Sequence, residues 1–225
     1  MFARRILVLL CMSLFENTVR GGVTGVASSR GSTEIFVPPV IIGAWQLLER
    51  NNDEERAVDL LMEYAKQGFT TFDTADIYGA SQQIIGKFRK RWAEYSREAG
   101  IINVPIRVFT KYVTHDASPV NANRVLEMRA VKELKLDDTV SPPQIDLVQF
   151  HWWNFKDRRY VDVAESLFDT YASSSDDRKG LAIAHLGLCN FDTRHAKRVI
   201  EKESNPSCPF KLLFCTGTQI SSGLG

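Results

Sequence analysis

Residues 68–79 read GFTTFDTADIYG, a short apolar run that ends in two carboxylates and a tyrosine. The segment Phe69–Phe72 has the β-branched and aromatic character of a buried strand. Asp73, Asp76 and Tyr78 follow it directly. An ordinary strand-to-helix loop could also place an aspartate here, as a helix cap. The function of the segment therefore depends on which other side chains the fold brings to it.

Strand-like runs alternate with helical patterns along the rest of the chain. The runs are short and apolar, and the segments between them carry apolar residues at helical spacing with polar starts and terminal glycines. Asn52 and Glu55 stand where a capping box would begin the first helix. The predicted strands cover residues 37–45, 69–76, 106–113, 145–153, 181–191 and 211–220.

This alternation predicts parallel strands covered by helices. Doubly wound sheets and (β/α)8 barrels both show it. A doubly wound dinucleotide-binding sheet should have a glycine-rich turn after its first strand, whereas GAWQLLER (residues 43–50) follows it here. We therefore predict an α/β fold of the (β/α)8 TIM-barrel class, incomplete, with about six of its eight β/α units present.

Composition restricts the partners that the protein can have. The formal net charge is +1 and no basic tract is present, which argues against nucleic acid. The 4 cysteines form no CxxC pair, so no metal site is predicted. No run of residues reaches the roughly 18 apolar positions that a membrane span requires, so stable membrane insertion is not expected.

The first 33 residues differ from the rest. A basic start, MFARR, precedes the apolar run ILVLLCMSLF and then a small, polar and basic stretch. This order is typical of a signal peptide or of the start of a transit sequence, and a wrongly chosen start codon is the alternative. We predict that residues 1–33 are a targeting or disordered segment outside the fold and that residues 34–225 form the domain.

The carboxyl ends of the strands form the active face of a (β/α)8 barrel. Strands two to four carry Asp73, with Tyr78 beyond it, then Lys111, then His151. A lysine ammonium should lower the pKa of a tyrosine, a carboxylate should keep that lysine charged, and a histidine can donate a hydrogen bond to a substrate oxygen. Such a set can protonate a carbonyl oxygen while another reactant delivers hydride to the carbon. Schiff-base chemistry at Lys111 is the alternative, and Asp73 opposes it.

With these residues together, the sequence resembles the aldo-keto reductase family. FDTADIYG matches the family's aspartate and tyrosine, VFTK its lysine, and DLVQFHWW its histidine. LGLCNF and TGTQI resemble its nicotinamide-binding motifs. The resemblance covers about residues 37–220 and is closest to a plant and algal plastid branch. It implies NADPH-dependent reduction of an aldehyde or ketone, or the reverse oxidation of an alcohol, with Tyr78 as general acid and base.

The resemblance also implies the rest of the site. The implied NADP(H) contacts are Gly43, Trp45, Asp73, Cys189, Asn190 and Gln219. The implied substrate pocket is lined by Trp45, Tyr78, His151 and Trp152. Cys189 stands where the family usually has serine or threonine, so we expect a weaker contact with the nicotinamide, because a thiol is a weak hydrogen-bond donor.

The sequence stops after the predicted sixth strand, whereas the resemblance implies two more, whose loops hold the cofactor phosphates. We therefore expect a domain that is truncated after strand six and that is poorly soluble or partly unfolded, because its strand edges are unpaired. The leading hypothesis is an oxidoreductase acting on a small carbonyl substrate. An inactive fragment and a non-catalytic NADP(H)-binding module of the same fold are the alternatives. The N-terminal segment and the resemblance to the plastid branch together predict that the protein is located in a plastid. The secretory route and the cytoplasm are the alternatives.

Overall fold

The computed structural model describes residues 8–9, 38–45, 47, 53–101, 104–118, 129–134, 144–173, 182–183, 185–202 and 214–215. The strands are β1 (Val8–Leu9), β2 (Ile41–Gly43), β3 (Thr71–Asp73), β4 (Arg107–Val113), β5 (Gln144–Ile145), β6 (Leu147–His151), β7 (Ala182–Ile183), β8 (Leu186–Cys189) and β9 (Phe214–Cys215). The helices are α1 (Glu54–Lys66), α2 (Ser81–Glu98), α3 (Val131–Leu134), α4 (Tyr160–Ser173) and α5 (Thr193–Lys202).

The order of the strands identifies the fold class. The 7-stranded sheet runs β1-β2-β3-β4-β6-β8-β9, and all neighbours from β2 onward are parallel. A doubly wound sheet reverses its strand order at a switch point. Here the parallel strands follow one another in chain order, as successive units of a (β/α)8 barrel do. The predicted fold class is confirmed, and each predicted strand contains one strand of this sheet. β5 and β7 form a separate parallel pair.

The two faces of the sheet differ in chemistry. On one face, Ile42, Phe72 and Val108 pack with the helices in the main hydrophobic core. On the other face, Phe109 and Leu147 belong to a separate small apolar cluster. Side chains of a strand alternate between faces, so residues two positions further along each strand share this second face. It is therefore apolar towards the start of the strands and polar towards their carboxyl ends.

The first helix begins one residue later than the capping-box prediction placed it. Asp53 is the N-cap: its Oδ1 accepts hydrogen bonds from the backbone N–H groups of Glu55, at 3.0 Å, and Arg56, at 3.3 Å. The capping role predicted for Asn52, which lies outside the described residues, is therefore wrong. Asp53 can take it because its backbone is extended, with φ of −114°, as a cap requires.

Part of the N-terminal segment belongs to the sheet. Val8 and Leu9 of β1 pair antiparallel with Ile42 and Ile41 of β2. The prediction that all of residues 1–33 lie outside the fold is therefore wrong at these two positions. A free strand edge offers unpaired backbone N–H and C=O groups, and an apolar extended run can satisfy them. Whether the segment directs targeting stays a prediction.

Candidate active site

A buried ion pair lies where β3 and β4 end. Asp73 is the last residue of β3, and its Oδ2 accepts a hydrogen bond from Lys111 Nζ at 2.5 Å. Lys111 Nζ also donates to the backbone carbonyl of Thr74 at 3.1 Å. The two charged residues are only 7% and 8% exposed. The two strands therefore hold an aspartate and a lysine in contact, away from solvent.

The charge of Lys111 depends on its neighbours. Burial lowers the pKa of its ammonium, but the Asp73 carboxylate and the Tyr78 phenol outweigh burial, and the net pKa lies above the usual value. Burial raises the pKa of Asp73 more than Lys111 and Gln149 lower it. Lys111 thus keeps its proton at neutral pH, as expected from the sequence.

Tyr78 stands beside this ion pair in the loop between β3 and α2. Lys111 Nζ lies 4.9 Å from the centre of the Tyr78 ring, and the Trp45 ring stacks on Tyr78 at 5.8 Å and 12°. Burial raises the pKa of the Tyr78 phenol, and the Lys111 ammonium offsets part of that rise. The predicted lowering of this pKa is therefore wrong, because the free-energy cost of removing a phenolate from water exceeds the stabilisation that the ammonium provides.

Asp76 fastens the Tyr78 loop to β4. Its backbone N–H donates to the Lys111 carbonyl at 3.3 Å, and both of its carboxylate oxygens lie 3.3 Å from the Val113 amide nitrogen. Burial raises the pKa of Asp76 to about 6, although the hydrogen bond from Val113 and the charge of Arg129 lower it. The loop that carries the tyrosine is thus attached to the strand that carries the lysine.

His151 is the last residue of β6 and is half-buried. Burial and the nearby Lys111 cation lower the pKa of its imidazole. The ring is therefore neutral at neutral pH and has one N–H donor and one acceptor nitrogen. Its neighbour is Trp153, whose ring meets the His151 ring edge-on at 5.4 Å and 75°.

The two adjacent tryptophans have opposite environments. Trp152, which was predicted to line the substrate pocket, is 1% exposed, lies in the main core and donates its indole N–H to the Asn154 carbonyl at 2.9 Å. Trp153 is 40% exposed and packs against His151. Successive residues of an extended chain point to opposite sides, which separates the two. The structure therefore brings Trp153, and not Trp152, to the site.

Of the residues implied for cofactor binding, Gly43, Asp73 and Cys189 lie at the same edge of the sheet. Gly43 pairs with Asp73, and Cys189 pairs with His151. Burial raises the pKa of the Cys189 thiol, which therefore stays neutral. Asn190 follows in the left-handed region, with φ of 68°, and is exposed. Gln219 lies outside the described residues.

Gln149 is a site residue that the sequence reasoning missed. Its Nε2 donates to Asp73 Oδ1 at 3.3 Å, and its side chain is buried. The signal was present, because Gln149 lies two residues before His151 on one strand and both therefore face the same side. It is also the register partner of Lys111.

Within the described residues, no three His, Cys, Asp or Glu side chains come together in a way that could hold a metal ion. None of the helices in the described ranges is both long enough and apolar enough to cross a membrane.

The sequence is similar to those of known proteins. The sequence model of the Aldo/keto reductase family matches residues 39–211. Methylglyoxal reductase DkgA of Escherichia coli O157:H7 is 26% identical over 166 residues, which cover 74% of this chain and 50% of the relative. The chain thus spans about half of the length of this curated relative.

Solved structures have the same fold. The thermostable aldo-keto reductase Tm1743, in complex with the inhibitor epalrestat, superposes with a TM-score of 0.56 at 23% identity, covering 79% of this chain and 58% of that one. A Bombyx mori aldo-keto reductase in complex with NADP gives a TM-score of 0.56 at 18% identity, covering 73% of this chain and 50% of that one. At these identities the similarity concerns the fold.

Proposed function

The chain belongs to the aldo/keto reductase family, and we propose that it interconverts a small aldehyde or ketone and the corresponding alcohol with NADP(H) as its cofactor. The observation that carries the proposal is the buried Lys111–Asp73 ion pair placed against the Tyr78 ring. A buried ion pair is costly to maintain and suits a site that must control a proton.

Tyr78 is the proposed general acid for reduction. Its raised pKa keeps the phenol protonated at neutral pH, so that it can donate its proton to a carbonyl oxygen. The Lys111 ammonium, close to the ring, stabilises the phenolate that remains. Asp73 in turn keeps Lys111 charged. In the reverse direction, the same phenolate accepts the proton of an alcohol.

His151 and Trp153 are proposed to orient the substrate. The neutral His151 ring can donate its N–H to the substrate oxygen without competing with Tyr78 for the proton. The exposed ring of Trp45, stacked on Tyr78, and that of Trp153, packed on His151, form an apolar border around these polar groups. A carbonyl group with a small apolar substituent fits such a border.

The donor set at the strand ends fits a nicotinamide. Asn190 presents an exposed amide beside Cys189, and an amide can both donate to and accept from a carboxamide. Gly43, which has no side chain, is the register partner of Asp73. When bound, NADPH supplies the hydride for reduction. Cys189 and Asn190 would hold the carboxamide, with the thiol as the weaker partner.

The test is a titration of the full-length chain with NADPH, followed by tryptophan quenching and by cofactor fluorescence. Saturable binding in the micromolar range, with NADPH oxidation on addition of small aldehydes, is the expected result. A matched titration of Trp45→Phe should lose part of the quenching, because Trp45 borders the site. A folded chain that binds no NADPH at millimolar concentration would refute the proposal.

A further inference from the structure

Besides Asp73 and Lys111, a third buried polar side chain, Gln149, lies at the site. Lys111, Gln149 and Gly187 are register partners across β4, β6 and β8, so they form one row on the same face of the sheet. Lys111 is 8% exposed and Gln149 only 1%. Two residues earlier on the same strands, Phe109 and Leu147 form the apolar cluster. Gln149 therefore has an apolar layer below it and the catalytic ion pair beside it.

The two oxygens of Asp73 have different partners. Oδ2 accepts from Lys111 Nζ at 2.5 Å, and Oδ1 accepts from Gln149 Nε2 at 3.3 Å. Among the described residues, Gln149 Oε1 is buried and has no hydrogen-bond partner. Its register partner on the other side, Gly187, has no side chain to offer one. Leaving a buried carbonyl oxygen without a hydrogen bond is unfavourable. The position of the Gln149 amide is therefore explained by the bond that its N–H donates to Asp73, and not by any bond to its oxygen.

We propose that Gln149 is a positioning residue that holds the Asp73 carboxylate in its ion pair with Lys111. A carboxylate with one oxygen free can rotate about its Cβ–Cγ bond and leave the ammonium. The amide N–H fixes Oδ1 and so directs Oδ2 to Lys111. Because Lys111 stabilises the Tyr78 phenolate, Gln149 acts on the proton donor through two other residues. This role rests on the proposed function.

A buried glutamine elsewhere in the fold provides a matched control. Gln82 on α2 is 2% exposed, donates from Nε2 to Thr110 Oγ1 at 2.7 Å, and also has an unpaired Oε1. It makes no hydrogen bond with Asp73 or Lys111 in the described part of the chain. Gln149→Met and Gln82→Met each remove one buried amide and keep the length of the side chain, so they differ only in which partner is lost.

The experiment follows the Asp73 carboxyl by carbon NMR in the full-length chain labelled at aspartate, with the signal assigned by its loss in Asp73→Asn. Gln149→Met should raise the pKa of Asp73 by about 0.5–1 unit, because a hydrogen bond to the ionised form is lost. Gln82→Met should leave it unchanged. An unmoved pKa in Gln149→Met, or an equal shift in both variants, would overturn the assignment.

A second variant covers the case in which Gln149→Met does not fold. Gln149→Glu keeps a polar side chain and places a second carboxylate beside Asp73, which should raise the pKa of Asp73 by more than about 1 unit. No rise would overturn the proposal. Where the wild type reduces a carbonyl, the acidic limb of kcat/KM should move upward in Gln149→Met, with KM changed less than twofold. A wild type without turnover refutes the proposed function alone, because the carboxyl titration needs no substrate.

Discussion

Replacing Asp76 by asparagine should change how the stability of the protein depends on pH. The pKa of this carboxyl rises from 3.8 to about 6 on folding. The folded state therefore holds the proton more tightly than the unfolded state does. The stability that protonated Asp76 contributes is complete below the unfolded pKa, and it is lost as pH rises through about 6.

The size of the effect follows from the shift. A rise of this size corresponds to about 3 kcal/mol, since one pKa unit is worth about 1.4 kcal/mol. Asp76 is only partly buried, so solvent screening reduces the expected value to about 1–2 kcal/mol. Asparagine does not titrate, and its side-chain oxygen can still accept from the Val113 N–H. Between pH 4.5 and pH 7.5 the free energy of unfolding of Asp76→Asn should thus rise by about 0.3–1 kcal/mol relative to wild type, because this window lies above the unfolded pKa of 3.8 and contains only part of the effect.

Urea unfolding followed by tryptophan fluorescence at both pH values measures this difference. Asp76→Ala is the control, because it removes both the charge and the acceptor. The free energy of unfolding of Asp76→Ala relative to wild type should change with pH in the same way. At both pH values Asp76→Ala should be less stable than Asp76→Asn, because it lacks the hydrogen bond from Val113. A difference between Asp76→Asn and wild type that is the same at both pH values would refute the argument that burial governs this carboxyl.

Substitutions at three further positions test the buried ion pair, the cap of α1 and the contact between α2 and α3. Lys111→Met should destabilise the fold by about 3–5 kcal/mol in urea unfolding, because it leaves Asp73 as an unpaired buried charge; an unchanged midpoint would contradict the buried ion pair. Asp53→Ala should cost about 1 kcal/mol through loss of the α1 cap, measured in the same way, and Asp53→Asn should restore most of it. Gly86→Ala should lower the thermal midpoint, because an added Cβ would collide with the Glu133 carbonyl of the segment at α3 and overpacking of this kind costs about 1–3 kcal/mol. If Gly86→Ala melts at the wild-type temperature, the close approach of α2 to α3 is not rigid.

The fold class could be predicted from the sequence because it depends on repetition. Apolar strands alternate with amphipathic helices over most of the chain. The absence of a glycine-rich turn in residues 43–50 then favoured a (β/α)8 barrel over a doubly wound sheet. The carboxyl ends of the strands then gave Asp73, Lys111 and His151, since parallel neighbours end at the same edge. These inferences use only the order of elements along the chain.

What could not be predicted depends on packing that one strand does not reveal. The direction of the Tyr78 pKa is set by burial against the charge of Lys111, and a sequence shows the charge but not the burial. Trp152 and Trp153 have the same side chain, and the structure shows which of them is buried in the core and which packs on His151. For Gln149, the sequence indicated the face of the sheet through its spacing from His151, but not the hydrogen bond to Asp73, which lies on a different strand.

The N-terminal segment could not be interpreted fully from its composition. Its composition predicted a targeting sequence, yet Val8 and Leu9 complete an edge of the sheet next to β2. An apolar run suits both a signal segment and an edge strand, and composition does not distinguish them. Targeting to a plastid therefore stays a prediction, and import of a fluorescent fusion carrying residues 1–33 is its test.

The most direct measurement is the rate of aldehyde-dependent NADPH oxidation by wild type and by Tyr78→Phe at saturating cofactor. Phenylalanine keeps the ring that stacks on Trp45 and removes only the hydroxyl group. We predict that NADPH binding is retained and that kcat falls by about 100-fold or more, the usual contribution of a positioned proton donor. Turnover by Tyr78→Phe at the wild-type rate would contradict the assignment of Tyr78 as the acid.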